Sequence, residues 1–334
     1  MSRYDPINLA LVPPPASVQV LSFDATYAAW LASFTAIAAT YNVTYNVGTL
    51  RSDPMGWMMS AAAYREMLKR GEINDAIKAV LLPTALGGDL DQVCADFNIV
   101  RRVLVPADPT TSPPTAAVME LDADLRARRA LAPEALSSAG PPGAYHFFAM
   151  QASADVRDVG VYGPEQAFVQ PGHVVLVVQS VSGPGGVPPT ATLQAVASLL
   201  CAWEAPDIAG YVPPTPAQLD ANTLRPDTDH VIVRAVAPTY YNVSGVLTLP
   251  PGPNGASVLA AATAAIQAYC AAQNIVNGEV TLSSLIAAGR MLNADGTSPA
   301  LDFVLTSPLA NVVPGPLGTP VCTGVVLTPQ VSNG

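Results

Sequence analysis

The sequence predicts an α+β chain: a helical N-terminal half followed by two small α/β sandwich domains with antiparallel or mixed sheets. Three observations carry this. Apolar residues recur at helical spacing through much of the first 150 positions. Beyond Gly143, short β-branched runs alternate with helical segments, in the order β-β-α-β and then β-α-α-β-β. The 33 prolines and 24 glycines among 334 residues gather between the periodic segments, as in small units joined by stiff turns. The strict β-α alternation of a doubly wound sheet is missing.

The first fifty residues read as an arm. Pro13, Pro14 and Pro15 stiffen it, and Phe23 to Ala39 fits a helix with Tyr27, Trp30, Leu31 and Phe34 on one side. Ser52-Asp53-Pro54 is a helix start, a capping side chain followed by proline in the first turn. The helix can run to about Leu82, and its 57–82 segment is a rod of about 39 Å at ~1.5 Å per residue. Trp57, Ala61, Tyr64 and Leu68 form its stripe, and Glu66 precedes Lys69 and Arg70 at favourable spacings. After Gly71 the apolar positions resume in a shifted phase at Ile73, Ile77 and Val80. A helix that meets other chains and a core helix broken at Gly71 both fit.

Gly87-Gly88 closes that segment. Asp89 and Gln92 then fit a variant capping box, opening a short helix with Leu90, Val93, Cys94 and Phe97 inward. A proline-rich link runs from Pro106 to Pro114. Val118 to Arg129 reads as a helix with acids first and bases last, complementing its dipole, with Asp122–Arg126 and Asp124–Arg128 as i,i+4 pairs. Its clustered carboxylates do not share a face, so a solvated or interface helix is preferred to a catalytic one.

Ala144 to Ala152 is a short helix; Val156 to Tyr162 and His173 to Gln179 are strands; Thr190 to Trp203 is a helix. A proline-rich excursion spans Ala205 to Pro226. Strands follow at His230 to Ala235 and Asn242 to Leu249, then helices at 256–276 and about 281–291, and strands near Leu301–Thr306 and Thr323–Thr328. Segment 256–276 is uncharged, but Gln267, Gln273 and Asn274 interrupt it. A helix lying on a sheet, with Val258, Leu259, Ala262, Ile266 and Tyr269 as its stripe, is preferred to a membrane span.

Twenty-five acidic against fifteen basic residues give a net charge of −10. Twelve of the bases lie before residue 166, together with seventeen acids, so neither half offers the basic face that nucleic acid requires. The four cysteines are 107, 69 and 52 residues apart and there are three histidines, which leaves a zinc site without a local signature. Isolated cysteines of this kind read as small apolar core residues in a reducing compartment. The N-terminus carries no apolar run before Pro13, so a signal peptide is not expected. Phosphate-loop and nucleophile-elbow patterns are absent. Ser137 or Ser138 with His146 makes a triad only on paper, and His173 and His230 sit at strand starts, where structural roles are preferred. Asn42-Val43-Thr44 and Asn242-Val243-Ser244 match a glycosylation pattern that matters only for a secreted chain. The residues alone describe an acidic, multi-unit α+β protein that is not expected to be an enzyme.

Between 119 and 180 the sequence becomes specific. Met119-Glu120-Leu121-Asp122-Ala123-Asp124-Leu125-Arg126, then Leu131-Ala132-Pro133-Glu134-Ala135-Leu136-Ser137, then Gly143-Ala144-Tyr145-His146 resemble the baseplate J family of contractile-tailed phages. So do the strands Val156-Arg157-Asp158-Val159 and Pro171 to Val177. Ile7-Asn8-Leu9 with Pro13-Pro14, Leu21 to Asp24, Ala63 to Glu66, Gly87 to Phe97, Arg225-Pro226 with Thr228-Asp229, and Cys322-Thr323-Gly324 fit the family's order. The excursion at 205–224 is longer than the family leads one to expect, and the region of residues 40–49 is unusually polar and uncharged.

The resemblance implies a structural baseplate wedge protein that links wedges into a six-fold ring around the tail hub. It divides the chain into an arm (1–50), a helical wedge-bundle region (51–150), a first α/β domain (151–235) and a C-terminal α/β domain (236–334). The implied partners are other wedge proteins, neighbouring copies and the tail hub. No catalytic residue, metal, cofactor, nucleic acid, membrane insertion or small-molecule substrate is implied. The implied location is the virion tail, assembled in the host cytoplasm. The candidate partner interface is Trp57, Tyr64, Leu68, Ile73 and Ile77. The alternatives are the equivalent protein of a phage-tail-like bacteriocin or injection device and, less favoured, a host-surface-binding or hydrolytic tail protein. Gene neighbourhood separates the first. The second predicts an aromatic groove or a carboxylate pair, which a 6% aromatic content argues against.

Overall fold

In the computed structural model, residues 9–45, 53–137, 139–251, 255–291 and 297–332 are described. The α+β class holds, with a helical N-terminal part and small antiparallel or mixed sheets. The chain forms two compact units, Met1–Ala130 and Leu131–Gly334.

The first unit begins with the helical hairpin α1 (Phe23–Thr40) and α2 (Pro54–Ala79). Ser22 caps α1 through the amide of Ala25, and Asp53 caps α2 through that of Met55, satisfying end donors that a helix cannot pair internally. The helix α2 runs through Gly71 without a break. An extended strap crosses it there. The Asn74 amide imitates a paired backbone: its Oδ1 accepts from the Gln19 N–H at 2.9 Å and its Nδ2 donates to the Gln19 carbonyl at 2.8 Å. A Cβ on Gly71 would touch Leu21 at 3.8 Å. The shift of apolar phase after Gly71 thus reflects the strap lying over one side of an intact helix.

Three local expectations change in this unit. The helix α3 (Gly87–Ala95) starts before Asp89, and no capping box forms. Asp122 caps it from another element instead, accepting from the Gly87 N–H at 3.0 Å. Val118 and Met119 are not helical; they form strand β2 (Val118–Met119), paired antiparallel with β1 (Val103–Val105). The proline-rich link is the loop of this ribbon, tied by an Asp108–Thr115 bridge. The helix α4 (Asp122–Leu131) therefore begins late.

The reason is what its arginines do. Arg128 sends two hydrogen bonds of 2.6 Å to Glu120, and both side chains are buried, at 5% and 4% exposure. Arg126 donates to the carbonyls of Leu82 and Ala85. Arg129 lies 3.6 Å over the Phe97 ring. Arg101 bridges Asp91 and Asp122 and donates to the Glu120 carbonyl. These contacts add to the expectation from spacing: Arg126 still acts electrostatically on Asp122, but the hydrogen bonds of Arg126 and Arg128 go to other elements.

The second unit holds two three-stranded sheets. In the first, β3 (Val156–Tyr162) pairs antiparallel with β4 (His173–Ser180), which pairs parallel with β5 (His230–Ala235). Helices α5 (Pro142–Ala152) and α6 (Thr190–Leu199) bury Tyr145, Ala149, Leu193 and Val196 against Val159, Leu176 and Val233. The helix α6 stops four residues earlier than expected, because Cys201 turns to positive φ and Asn222 donates to the Leu199 carbonyl. The excursion that follows contains a further helix, α7 (Pro216–Ala221), with a Thr215–Gln218 capping box.

In the second sheet, β6 (Ala237–Leu249) lies between β7 (Asp302–Ser307), antiparallel, and β8 (Gly318–Val331), parallel. Helices α8 (Gly255–Gln273) and α9 (Leu282–Arg290) cover it. The helix α8 is long and apolar enough to cross a membrane by composition, yet it packs Ala262, Ile266 and Cys270 into this sheet's core. Gly289 lets α9 come close: a Cβ there would sit 2.5 Å from the Phe303 ring.

The edge strand β8 carries a one-residue bulge opposite Tyr241–Val243. Before it, Leu317 turns its carbonyl to Ala237; after it, Ser332 turns its N–H to Leu249. With backbone direction alternating along a strand, Pro320 and Pro329 both face away from β6; Pro320 is buried there, beside the Gly318 carbonyl that accepts from the Asn277 N–H, and Pro329 faces the open edge. The two sheets are joined by polar contacts. The Gln179 amide donates to Asn274 Oδ1 at 2.6 Å and to Thr319 Oγ1 at 3.2 Å, and Asp158 accepts from the Val276 N–H at 2.8 Å.

Burial raises the Glu120 pKa, but hydrogen bonds from Arg128 and the Arg102 N–H outweigh it, so the carboxyl titrates below the ordinary Glu range. A depressed folded value means the stabilisation is full above the unfolded value and is lost as pH falls through the folded one. Glu120→Ala is expected to cost roughly 3–5 kcal/mol by leaving Arg128 buried and unpaired. Glu120→Gln should flatten the loss of stability below about pH 4. Chemical denaturation followed across pH 3–7 measures both.

Candidate partner interface

The five residues predicted to meet a partner lie on α2, and the structure does not gather them onto one face. At about 100° per residue, Trp57, Ala61, Tyr64 and Leu68 share one narrow stripe. Ile73 and Ile77 lie on roughly the opposite side. Trp57, Tyr64, Leu68 and Ile73 are 62%, 51%, 45% and 52% exposed, and Ile77 is half-buried. Gly56, Met59, Ala63 and Asn74 occupy the packed face. Met58, which the periodicity did not single out, is also exposed.

The partner helix α1 buries little beyond Thr26 and exposes Trp30 and Ile37. Its orientation is held by polar contacts: the Trp30 indole donates to Glu66 at 2.6 Å, and Arg70 pairs with the same carboxylate. The Arg70 and Trp30 hydrogen bonds keep Glu66 below the usual carboxylate range. The β1–β2 ribbon adds Val103, Leu104, Val105, Val118 and Met119, all exposed. A two-stranded ribbon is marginal alone in water. Sequence spacing missed it because a three-residue and a two-residue strand carry almost no periodic signal.

The catalytic candidates do not assemble. His146 Nδ1 lies 2.9 Å from the Val159 carbonyl, which makes that nitrogen a donor occupied by strand β3. Ser137 Oγ accepts from the Ala139 N–H in a turn, and Ser138 falls outside the described residues. His173 and His230 are register neighbours on β4 and β5, with Trp203 stacked on His230 at 5.0 Å. Among the described residues no group of three His, Cys, Asp or Glu side chains is placed to hold a metal.

What the structure does bring together is the pair of sequence blocks around Gly140–Tyr145 and Arg225–Asp229. The Tyr145 hydroxyl donates to Asp229 at 2.7 Å, and Arg225 Nη1 donates to the Asp229 carbonyl at 2.6 Å. Gly140 has φ +66°, and a Cβ there would meet the Pro226 ring at 2.7 Å. Burial, then the Asp229 carboxylate, pushes the Tyr145 phenol far up, so it acts as a fixed donor. These motif residues hold a helix and a strand start together.

Against that geometry, family comparison is decisive. Residues 51–108 match the baseplate J-like N-terminal domain, and residues 241–328 match the baseplate J-like protein C-terminal domain. Baseplate protein J of Escherichia phage P2 is 32% identical over 319 residues, 95% of each chain. The chain belongs to the baseplate J family. The N-terminal family match spans α2, α3 and β1, which includes all five candidate interface residues. The C-terminal match spans most of the second sheet with α8 and α9. The blocks joined by Tyr145 and Asp229 lie between the two matches, within the span shared with the phage P2 protein.

Tyr145→Phe removes one hydrogen bond to a charged group and is expected to cost about 1.5–3 kcal/mol. Thermal unfolding of the full chain should show the loss, with the secondary structure measured by circular dichroism unchanged.

Proposed function

We propose that this chain is a structural, non-catalytic component of a contractile phage tail, a wedge protein that helps link wedges into a six-fold ring around the hub. The observation that carries the reading is the similarity to the phage P2 baseplate protein along 95% of both chains. Its partners are other wedge proteins, neighbouring copies and the hub. Its place is the virion baseplate, after assembly in the host cytoplasm. Reconstruction of a purified particle tests this: copies in multiples of six are expected, and a three-fold arrangement on the tail axis contradicts it.

Within that role, the helical region at 51–150 builds the wedge, and the α/β regions at 151–235 and 236–334 meet neighbouring copies. The α2 stripe at Trp57, Tyr64 and Leu68 is the primary partner surface, and Ile73 and Ile77 serve a second contact on the other side. Burying each large apolar side chain contributes roughly 1.5–3 kcal/mol, and a charge placed there adds a desolvation cost. Tyr64→Asp and Leu68→Asp in the full chain should each weaken co-purification with a wedge partner at least about tenfold, with circular dichroism unchanged. Undiminished capture by both variants moves the interface off α2.

A further inference from the structure

The second sheet holds a thiol pair that the baseplate reading does not use. Cys270, near the end of α8, is 3% exposed within the core of this sheet. Cys322 on β8 is half-buried and packs against the same core. The two side chains therefore meet at one place, where α8 lies on β8. Both line one open pocket of 260 Å³, with Gln267, Asn274 and Thr323 beside them. The β8 bulge follows Cys322 directly, and the Cys322 Sγ reaches the Gly324 carbonyl at 3.5 Å. This side chain therefore faces the pocket from a strand that is locally opened. The Tyr241 hydroxyl is buried without a hydrogen-bond partner.

We propose that Cys270 and Cys322 form an intramolecular disulfide when the chain meets a small disulfide oxidant such as oxidised glutathione. Cys322, the more accessible thiol, loses its proton and attacks one glutathione sulfur, releasing the first glutathione as a thiolate. Cys270 then loses its proton and attacks the Cys322 sulfur, releasing the second. The protein dithiol is oxidised by two electrons, one glutathione disulfide is reduced to two thiols, and two protons are transferred. The product staples α8 to the edge strand and closes a loop between residues 52 positions apart.

The order of attack has a physical basis. The Cys270 thiol is pushed up to about 11 by burial and then by the Cys322 thiol from β8, against the opposing effect of the Tyr241 hydroxyl from β6. Tyr269 stands next to it on α8. Only a thiolate attacks, so ring closure at Cys270 is the slow, pH-sensitive step. Cys201 is held apart from this pair, its Sγ lying 3.6 Å from the Gln218 carbonyl in the first sheet's surroundings.

The test uses the full chain, purified reduced with its four free cysteines and exposed to oxidised glutathione at pH 7, 8 and 9. Alkylation and peptide mass spectrometry should find Cys270 linked to Cys322. Closure should quicken about tenfold per pH unit while the thiol stays below its own titration. Cys270→Ser should stop at a glutathione adduct on Cys322, and Cys322→Ser should leave Cys270 unmodified. Hydrogen exchange in β8 should slow at least about tenfold on oxidation. A wild-type chain that keeps glutathione on Cys322, or keeps both thiols free while Cys201 reacts, overturns the proposal.

Discussion

Arg128 and Glu120 neutralise each other where water does not reach, and the first unit is arranged around that pair. Neither charge is tolerable there alone. The pair therefore dictates where β2 must end and α4 must begin, since both side chains have to arrive at one buried point. Arg126, Arg129 and Arg101 then tie the same helix to carbonyls, to a ring and to two carboxylates. In a chain with only 12% charged residues, most of this unit's basic side chains near α4 are spent on orientation rather than on solubility. The hairpin of α1 and α2, by contrast, has little core of its own.

The second unit solves a different problem. Its two sheets share a pattern, a central strand with one antiparallel and one parallel neighbour. Each has its own apolar core, and a third cluster with Tyr162, Val177, Val236 and Val276 lies between them. Apolar packing alone permits sliding. The Gln179, Asn274 and Thr319 side chains, together with the Asp158 carboxylate on the Val276 N–H, specify one arrangement because each buried polar group demands its partner.

Much of this was legible in the residues. Long periodic segments declared themselves: the strands of both sheets, the order of elements along the chain and the helices α1, α2, α5, α8 and α9 follow from apolar spacing and turn chemistry, whereas which strands pair in space does not. The exposed stripe at Trp57, Tyr64 and Leu68 was visible as a stripe; its exposure was not, because periodicity marks a face without saying what covers it. The strap on Asn74, the ribbon at Val103–Val105 and Val118–Met119, and the cap from Asp122 to Gly87 were hidden. Each depends on a contact between residues far apart in the chain, and none leaves a local pattern. Glu120 was misread for the same reason: in sequence it looks like the first turn of a helix, and only Arg128 in space makes it a buried partner.

The two prolines of β8 have a consequence beyond local geometry. An open sheet edge is a template on which identical chains stack, and growth of such a stack depends on several consecutive hydrogen bonds forming together. With Pro320 covered and Pro329 facing outward, the uninterrupted run of exposed edge donors is short. An edge shortened in this way is a poor seed for a fibril even at high local concentration.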